Sequence, residues 1–161
     1  MANQFAMTYL IQGLDPRPYR AFQALDDETL AARGIIRLSV TRPLSFPCRI
    51  RLVDLPVGET VLLMNHISRE RPSPYHASHA IFVGEGAAAA ACFEDKVPPV
   101  LTHRVLSMRG FDMQDMMVDA VLVQPGGADD AIRALFANPG IATIDIHNAT
   151  RGCFAARAER T

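Results

Sequence analysis

Apolar and polar residues alternate in short segments along the chain, and this period-two pattern is the strongest constraint on its fold. Successive side chains of an extended strand point to opposite faces, so alternation is typical of strands and not of helices. Turn-forming residues separate most of these segments. Together with a fully apolar run at 61–64, the pattern predicts strands over 5–11, 35–40, 48–52, 61–64, 78–83, 105–111, 116–123, 141–146 and 154–157.

Helical spacing is confined to two parts of the chain. Two short helices are predicted within 16–33, with Asp15 and Asp26 as N-caps and Gly34 as the terminating residue. The clearest helix is predicted over 128–136, where apolar residues recur three and four positions apart.

The short connections between strands favour antiparallel pairing. At 161 residues the chain is predicted to be one α+β domain spanning 1–161. We expect a largely antiparallel sheet with two or three short helices packed on it. Residues 84–99 are predicted to be irregular.

Net charge restricts the partners that the chain is expected to bind. The formal charge is −1, so no overall positive field is available to hold nucleic acid or anionic lipid. The N-terminal segment has no basic residue before its apolar stretch, and no apolar run approaches the length of a membrane span. We therefore expect a cytoplasmic protein with neither nucleic-acid nor membrane partners.

Cysteine number and spacing indicate free thiols. Cys48, Cys92 and Cys153 are odd in number and far apart, which in a reducing compartment argues against a disulfide framework. A Cys48–Cys153 disulfide is the alternative.

The segment from His147 to Cys153 places an imidazole, a carboxamide, a guanidinium and a thiol around one turn. If 148–152 is a hairpin loop, His147 and Cys153 form its closing pair and share a face with Asp145. An imidazolium can stabilise a thiolate, and a carboxylate can orient the imidazole. This geometry predicts Cys153 as a nucleophile, His147 as its base and Asp145 as the orienting group. Phe154 is predicted on the opposite face.

Two loop residues, Asn148 and Arg151, are predicted to bind an anionic group beside this thiol. The alternative interpretation is a solvent-exposed sheet face that carries a free thiol, a histidine and an Asp145–Arg157 ion pair of little energetic value.

Further candidates lie in the first half of the chain. His79 follows Ser78 on a predicted strand, and its expected state is a buried histidine satisfied by hydrogen bonds. A metal site built from His79, His147 and Cys153 is a less favoured alternative, because three distant segments would have to converge. No metal is predicted, and no cofactor is predicted because the common phosphate-binding and Cys-x-x-Cys signatures are absent.

The predicted strand 48–52 separates two kinds of residue. Cys48 lies on its apolar face and is expected in the core. Arg49 and Arg51 are expected to point away from that core, where a solvated face is the first interpretation. The alternative is bidentate binding of a carboxylate or phosphate, together with further arginines at 104, 109 or 151.

A group of short motifs in a fixed order resembles a known bacterial family. The motifs are Phe46-Pro47-Cys48-Arg49, Ser73-Pro74-Tyr75, Ser78 to Val83, His147-Asn148-Ala149 and Arg151-Gly152-Cys153. In this combination the chain resembles the family catalogued as domain of unknown function 1203. The resemblance covers nearly the whole chain, implies a bacterial protein and assigns no catalytic residue. A single lysine, Lys96, among 16 basic residues is likewise typical of G+C-rich bacterial genomes.

The resemblance marks the segments that the chemistry also selects. We therefore treat Cys48, Ser78, His79, His147, Asn148, Arg151 and Cys153 as one candidate site. The favoured hypothesis is a small-molecule site for an anionic ligand, with or without Cys–His catalysis. The alternative is a non-catalytic interaction or structural protein that forms a homodimer.

Overall fold

The computed structural model describes residues 7–161, so positions 5 and 6 of the first predicted strand lie outside the described residues. This part of the chain forms nine β-strands, three α-helices and one 3₁₀ turn. In chain order they are β1 (Tyr9–Gln12), α1 (Arg17–Gln23), α2 (Asp27–Ala31), β2 (Ile36–Ser39), β3 (Thr60–Arg69), β4 (Ala77–Gly84), β5 (Cys92–Glu94), the 3₁₀ turn (Pro99–Leu101), β6 (Leu106–Phe111), β7 (Met117–Val123), α3 (Ala128–Phe136), β8 (Thr143–Asn148) and β9 (Phe154–Arg160).

The strands form two antiparallel sheets. The larger sheet has the order β5-β1-β9-β8-β6-β7, and the smaller has the order β2-β3-β4. The expected α+β class is confirmed. The sequence did not separate the strands into two sheets, because alternation reveals a strand but not its neighbours.

Each sheet has its own apolar core. Ile132 and Phe136 of α3 pack in the larger core with Ile144 and Ile146 of β8. Leu30 of α2 packs instead in the smaller core, which also receives the buried residues of β3 and β4. The apolar stripe of α3 and the fully apolar start of β3 therefore each face a core, as expected from their sequence patterns.

The helices and the hairpin between β6 and β7 agree with the sequence patterns. The Asp26 carboxylate accepts a hydrogen bond from the Thr29 backbone N–H at 2.7 Å and caps α2. At α1 the N-cap position belongs to Pro16 instead of Asp15, although the Asp15 carboxylate still accepts a hydrogen bond from the Arg17 backbone N–H. The predicted hairpin pairs Leu106–Phe111 with Met117–Val123.

The predicted strand at 48–52 is wrong, because this segment forms a tight turn. Leu52 has a positive φ of 52°, and its backbone N–H donates to the Cys48 carbonyl at 2.9 Å. The alternating apolar residues of the segment serve different cores: Cys48 and Ile50 belong to the smaller one, and Leu52 to the larger. In a straight strand, Cys48, Ile50 and Leu52 would all point to the same face and could not reach two different cores. The range 84–99, predicted irregular, contains the short strand β5.

The backbone of Gly13, which follows β1, packs directly against the backbone of the 48–52 turn. A Cβ atom at this position would lie 1.9 Å from the Ile50 carbonyl oxygen. Backbone atoms cannot move aside as a flexible side chain can, so we expect Gly13→Ala to lower the free energy of unfolding by roughly 3 kcal/mol.

Gly86→Ala is the matched control for this prediction. Gly86 has a φ of +84°, and a Cβ there meets no heavy atom within 4 Å. Only the left-handed backbone conformation is penalised, at a cost of about 1 kcal/mol. Urea unfolding of both variants measures the difference, and equal losses would contradict the steric explanation.

Candidate functional site

A β-bulge between β8 and β9 shapes the turn that carries the candidate site. Ile146 pairs with Ala156 and His147 pairs with Phe154, so Ala155 is an extra residue without a partner in the ladder. Beyond the His147–Phe154 pair, the next two residues close the turn: the Asn148 backbone N–H donates to the Cys153 carbonyl at 3.0 Å.

The bulge changes which side chains share a face. The expected closing pair of His147 and Cys153 is not formed, because Cys153 lies opposite Asn148. Phe154 was expected with Ile144 and Ile146 but lies on the His147 face, and its ring centroid is 5.8 Å from that of His147. The register prediction was therefore wrong by one position.

The Asp145 carboxylate is buried between two arginines. Its side chain is 2% exposed, and its oxygens accept hydrogen bonds from Arg69 Nε at 2.8 Å and Arg157 Nε at 2.6 Å. The predicted Asp145–Arg157 ion pair is confirmed. The exposed sheet face of the alternative interpretation is not, because Arg69 of the smaller sheet covers Asp145. Since its bonds go to arginines, the structure does not show Asp145 orienting the His147 ring.

His147 is a buried, neutral imidazole. Its Nδ1 atom lies 3.0 Å from the Gly152 carbonyl oxygen, which can only accept, so Nδ1 carries the proton and donates. Burial lowers the pKa of His147 to about 4. At neutral pH this ring supplies no positive charge to a neighbouring thiolate.

His79 of the smaller sheet meets His147 of the larger sheet edge to face. The ring centroids are 4.9 Å apart. Burial lowers the pKa of His79 as well, and Arg109 adds to this effect. The Nε2 atom of His79 is buried and has no hydrogen-bond partner among residues 7–161. The expectation of a fully satisfied histidine is therefore wrong for this atom.

Arg49 is the least expected member of the site. It was predicted on a solvated face but is only 2% exposed. Its Nε atom donates to the Phe154 carbonyl at 2.7 Å and its Nη1 atom donates to the Pro47 carbonyl at 2.5 Å. Within the described part of the chain no carboxylate pairs with this guanidinium. Burial lowers the pKa of Arg49, and the Cys153 sulfur acts in the opposite direction.

The Cys153 sulfur is the acceptor of two hydrogen bonds. Arg49 Nη2 lies 3.2 Å from Sγ, and Asn148 Nδ2 lies 3.3 Å from it. Hydrogen bonds from a cation and from an amide both stabilise negative charge on sulfur. Arg49 therefore occupies the place beside the thiol that the sequence had assigned to His147.

The oxygen of the Asn148 amide, unlike its nitrogen, makes no hydrogen bond to the described residues. Asn148 is 8% exposed, and its Oδ1 atom is buried without a hydrogen-bond partner in the described structure. A buried acceptor without a partner is costly, so such atoms are uncommon in native proteins. Asn148 and Cys153 both line a cavity into which a partner group can enter.

This cavity, the interface cleft, lies between the smaller sheet and the turn after β8, with a volume of about 980 Å³. Its lining includes His79 of β4 and Arg151 of the turn, as well as Asn148 and Cys153. Distant candidate residues therefore converge. Four candidates do not line it: Asp145 and His147 are buried outside this lining, Cys48 is fully buried in the smaller core, and exposed Ser78 accepts a hydrogen bond from Asn65 Nδ2 at 3.3 Å.

Arginine dominates the charged lining of the interface cleft. The four arginines are Arg42, Arg49, Arg104 and Arg151, and no Asp or Glu of the described residues lines it with them. Arg104 already has a carboxylate partner, because its Nη1 atom donates to Asp54 Oδ2 at 2.9 Å. Exposed Arg42 and Arg151 form no ion pair within 7–161, so their charge is available to a ligand.

Part of the cleft lining is apolar. Leu38, Leu63 and Phe82 of the smaller sheet line it together with Phe46, whose ring packs 5.1 Å from that of Phe82. A cleft lined by both apolar and cationic side chains suits a molecule with an apolar body and an anionic group.

A second cavity, of about 510 Å³, is lined by Arg69, Arg157 and Phe154. The arginines of this cavity, which also include Arg71, are already paired with carboxylates. Asp145 binds Arg69 and Arg157, and Asp115 lies 2.6 Å from Arg69 and 3.9 Å from Arg71. For an anionic ligand the interface cleft is therefore the better site.

Sequence reasoning missed several of these residues. Arg42 lies in a loop outside the motifs, and Arg69 ends β3 where the alternation is weak. His66 pairs with His79 across β3 and β4, and its ring lies 5.6 Å from Phe154, so it extends the aromatic cluster between the sheets. An available signal was the polar Asn65-His66 pair, which directly follows the predicted strand 61–64.

The part of the chain that the structure describes has neither a metal-binding cluster nor a membrane-spanning helix. Among residues 7–161 no group of three or more His, Cys, Asp or Glu side chains is arranged to hold a metal ion, and His79, His147 and Cys153 form no such group. No helix in the described range is long and apolar enough to cross a bilayer.

Fold and site together define an α+β protein whose two antiparallel sheets enclose an arginine-lined cleft with one thiol in its wall. A family model described as a protein of unknown function (DUF1203) matches residues 45–160, which is most of the chain, so the chain belongs to this family. No curated protein and no solved structure matches it. The matched range contains Arg49, His79 and the whole 147–153 turn.

Burial of His147 predicts a specific pH dependence of stability. The unfolded ring takes up a proton near pH 6.5, whereas the folded ring stays neutral down to about pH 4. Between these values the unfolded state binds more protons, so the free energy of unfolding falls as pH falls, by about 3 kcal/mol over the window.

The variant His147→Gln tests this origin, since a Gln amide can still donate to the Gly152 carbonyl. Urea unfolding at several pH values should show a flatter slope for His147→Gln than for the native chain. Exposed His76→Gln is the control and should keep the native slope. A native slope in His147→Gln would rule out this ring as the source.

Proposed function

We propose that the chain binds a small anionic molecule in the interface cleft. The observation that carries the proposal is a cleft with four arginines and no carboxylate in its described lining. A guanidinium binds carboxylate or phosphate through two parallel hydrogen bonds, which gives both charge and orientation. Arg42 and Arg151 are the residues that would make the first contact.

The deeper part of the cleft supports a ligand that also carries a hydrogen-bond donor. The unpartnered Oδ1 atom of Asn148 can only accept, so a ligand hydroxyl or amine would satisfy it. The Nε2 atom of His79 is a second acceptor, provided that its proton resides on Nδ1. The apolar wall around Phe46 and Phe82 accommodates the body of the molecule.

If the site is catalytic, Cys153 is the group that we propose as nucleophile. Arg49 and Asn148 stabilise charge on its sulfur, whereas His147 is buried, neutral and hydrogen-bonded to Gly152. The Cys–His pair of the sequence analysis is thus replaced by a Cys–Arg pair. We retain His147 and Asp145 as residues that hold the interface together beneath the cleft.

We also propose that the protein works in the bacterial cytoplasm. Three free cysteines are typical of a reducing compartment. The preference for arginine over lysine supports a bacterial source.

Substitution of the two unpaired arginines tests the ligand site. Phosphate and a series of aryl and alkyl carboxylates are screened by thermal shift, since a ligand that binds only the folded state raises the melting temperature. We expect at least one anion to stabilise the native chain. The double variant Arg42→Ala, Arg151→Ala should lose roughly tenfold or more in affinity, because about 1.4 kcal/mol corresponds to a factor of ten.

Arg33→Ala is the matched control, because Arg33 is exposed and does not line the cleft. It should bind the same anion with native affinity. Equal weakening by Arg33→Ala would indicate a general charge effect, and the absence of any stabilising anion would count against the proposal.

A second candidate function is self-association through the edge of the larger sheet. β7 is the last strand of that sheet, and exposed apolar side chains lie on and beside it: Met113, Met116, Val118, Val121 and Leu122. Exposed edge strands pair readily with a strand of another chain. We propose a second copy as the partner, with β7 of each chain aligned antiparallel about a two-fold axis.

Light scattering after gel filtration distinguishes this dimer from a monomer. We expect a mass of twice 17.6 kDa at high protein concentration, reduced to the monomer mass by Leu122→Lys. Val57→Lys is the control, since Val57 is similarly exposed but lies outside β7. A monomeric native chain would exclude the dimer without affecting the ligand proposal.

A further inference from the structure

Three observations at the Cys153 sulfur are independent of which anion the cleft binds. The first is the pair of N–H donors, Arg49 Nη2 and Asn148 Nδ2, aimed at the sulfur. The second is the buried Arg49 guanidinium without a carboxylate partner in the described chain, for which a thiolate is the available counter-ion. The third is the buried and unpartnered Asn148 Oδ1 on the same amide.

We propose that Cys153 is a hydroperoxide-reactive thiol. In the reaction the thiolate sulfur attacks the terminal oxygen of a hydroperoxide, an S–O bond forms, and the O–O bond breaks. The transferred hydroxyl makes Cys153 a sulfenic acid, and the leaving hydroxide or alkoxide takes a proton from solvent to become water or an alcohol. Sulfur is oxidised by two electrons and the peroxide is reduced by two.

The surroundings of the sulfur match the needs of this reaction. A hydroperoxide approaches with an O–H group that requires an acceptor. The Asn148 amide, whose Nδ2 lies 3.3 Å from the sulfur, has such an acceptor in Oδ1, which has no partner in the described structure. The two N–H donors, Arg49 Nη2 and Asn148 Nδ2, stabilise the thiolate before the attack. An alkylating agent without any hydrogen-bond donor, such as methyl iodide, gains from the N–H donors but not from the acceptor.

The other two cysteines provide comparisons within the same molecule. Cys92 is exposed on β5, and Cys48 is fully buried in the smaller core. Exposure alone would make Cys92 the most reactive of the three. The proposal reverses this order for peroxide, because Arg49 Nη2 and Asn148 Nδ2 lie within hydrogen-bonding distance of the Cys153 sulfur.

The experiment treats the native, reduced chain with hydrogen peroxide at pH 7 in the presence of dimedone, which traps sulfenic acids. Peptide mass spectrometry then measures the rate of adduct formation at each cysteine. We expect Cys153 to be trapped roughly tenfold faster than Cys92. Equal or slower trapping at Cys153 would overturn the proposal.

Two further measurements separate the acceptor from general reactivity. In Asn148→Ala the peroxide rate at Cys153 should fall more than the rate of alkylation by methyl iodide, since only the peroxide uses the acceptor. Asn65→Ala, an exposed asparagine outside the cleft, should change neither rate. In urea-unfolded chain the preference for Cys153 over Cys92 should vanish, and its persistence would assign the reactivity to local sequence instead of the site.

Discussion

The buried guanidinium of Arg49 is the interaction on which the arrangement of the two sheets depends. Its side chain bonds to the Phe154 and Pro47 carbonyls and to the Cys153 sulfur, while its backbone N–H donates to the Phe82 carbonyl at 3.0 Å. One residue thus joins β4 of the smaller sheet to β9 and the turn of the larger sheet. A buried cation is tolerated only when its donors are satisfied, so these segments must hold their relative positions.

The second polar contact between the sheets is ionic. Asp145 of β8 lies between Arg69 of the smaller sheet and Arg157 of β9. Removing one member of such a group leaves an uncompensated charge in the interior, which costs more than the group contributes when intact. Polar groups that must be paired fix the register of the sheets more precisely than apolar packing alone would.

Local patterns sufficed to predict most strands, the helices and the β6–β7 hairpin, because alternation and capping act over a few residues. They failed where the outcome depends on distant segments. The burial of Arg49 requires a turn more than a hundred positions away, and nothing in Cys-Arg-Ile-Arg distinguishes a solvated arginine from a buried one. The bulge was hidden for a different reason: Ala155 and Ala156 are identical, so the sequence does not show which of them leaves the ladder.

The contact between Arg49 and Cys153 spans 104 positions of sequence. Neither residue has this environment in the unfolded chain, and neither keeps it if the sheets separate even locally. The reactivity of the sulfur therefore depends on the contact between the sheets. If the sheets separate locally, the sulfur loses its hydrogen bonds from the guanidinium and from the amide together. The reactivity of this thiol is therefore a measure of whether the two sheets are in contact. A ligand that fills the cleft would change both the stability of that contact and the reactivity of the thiol.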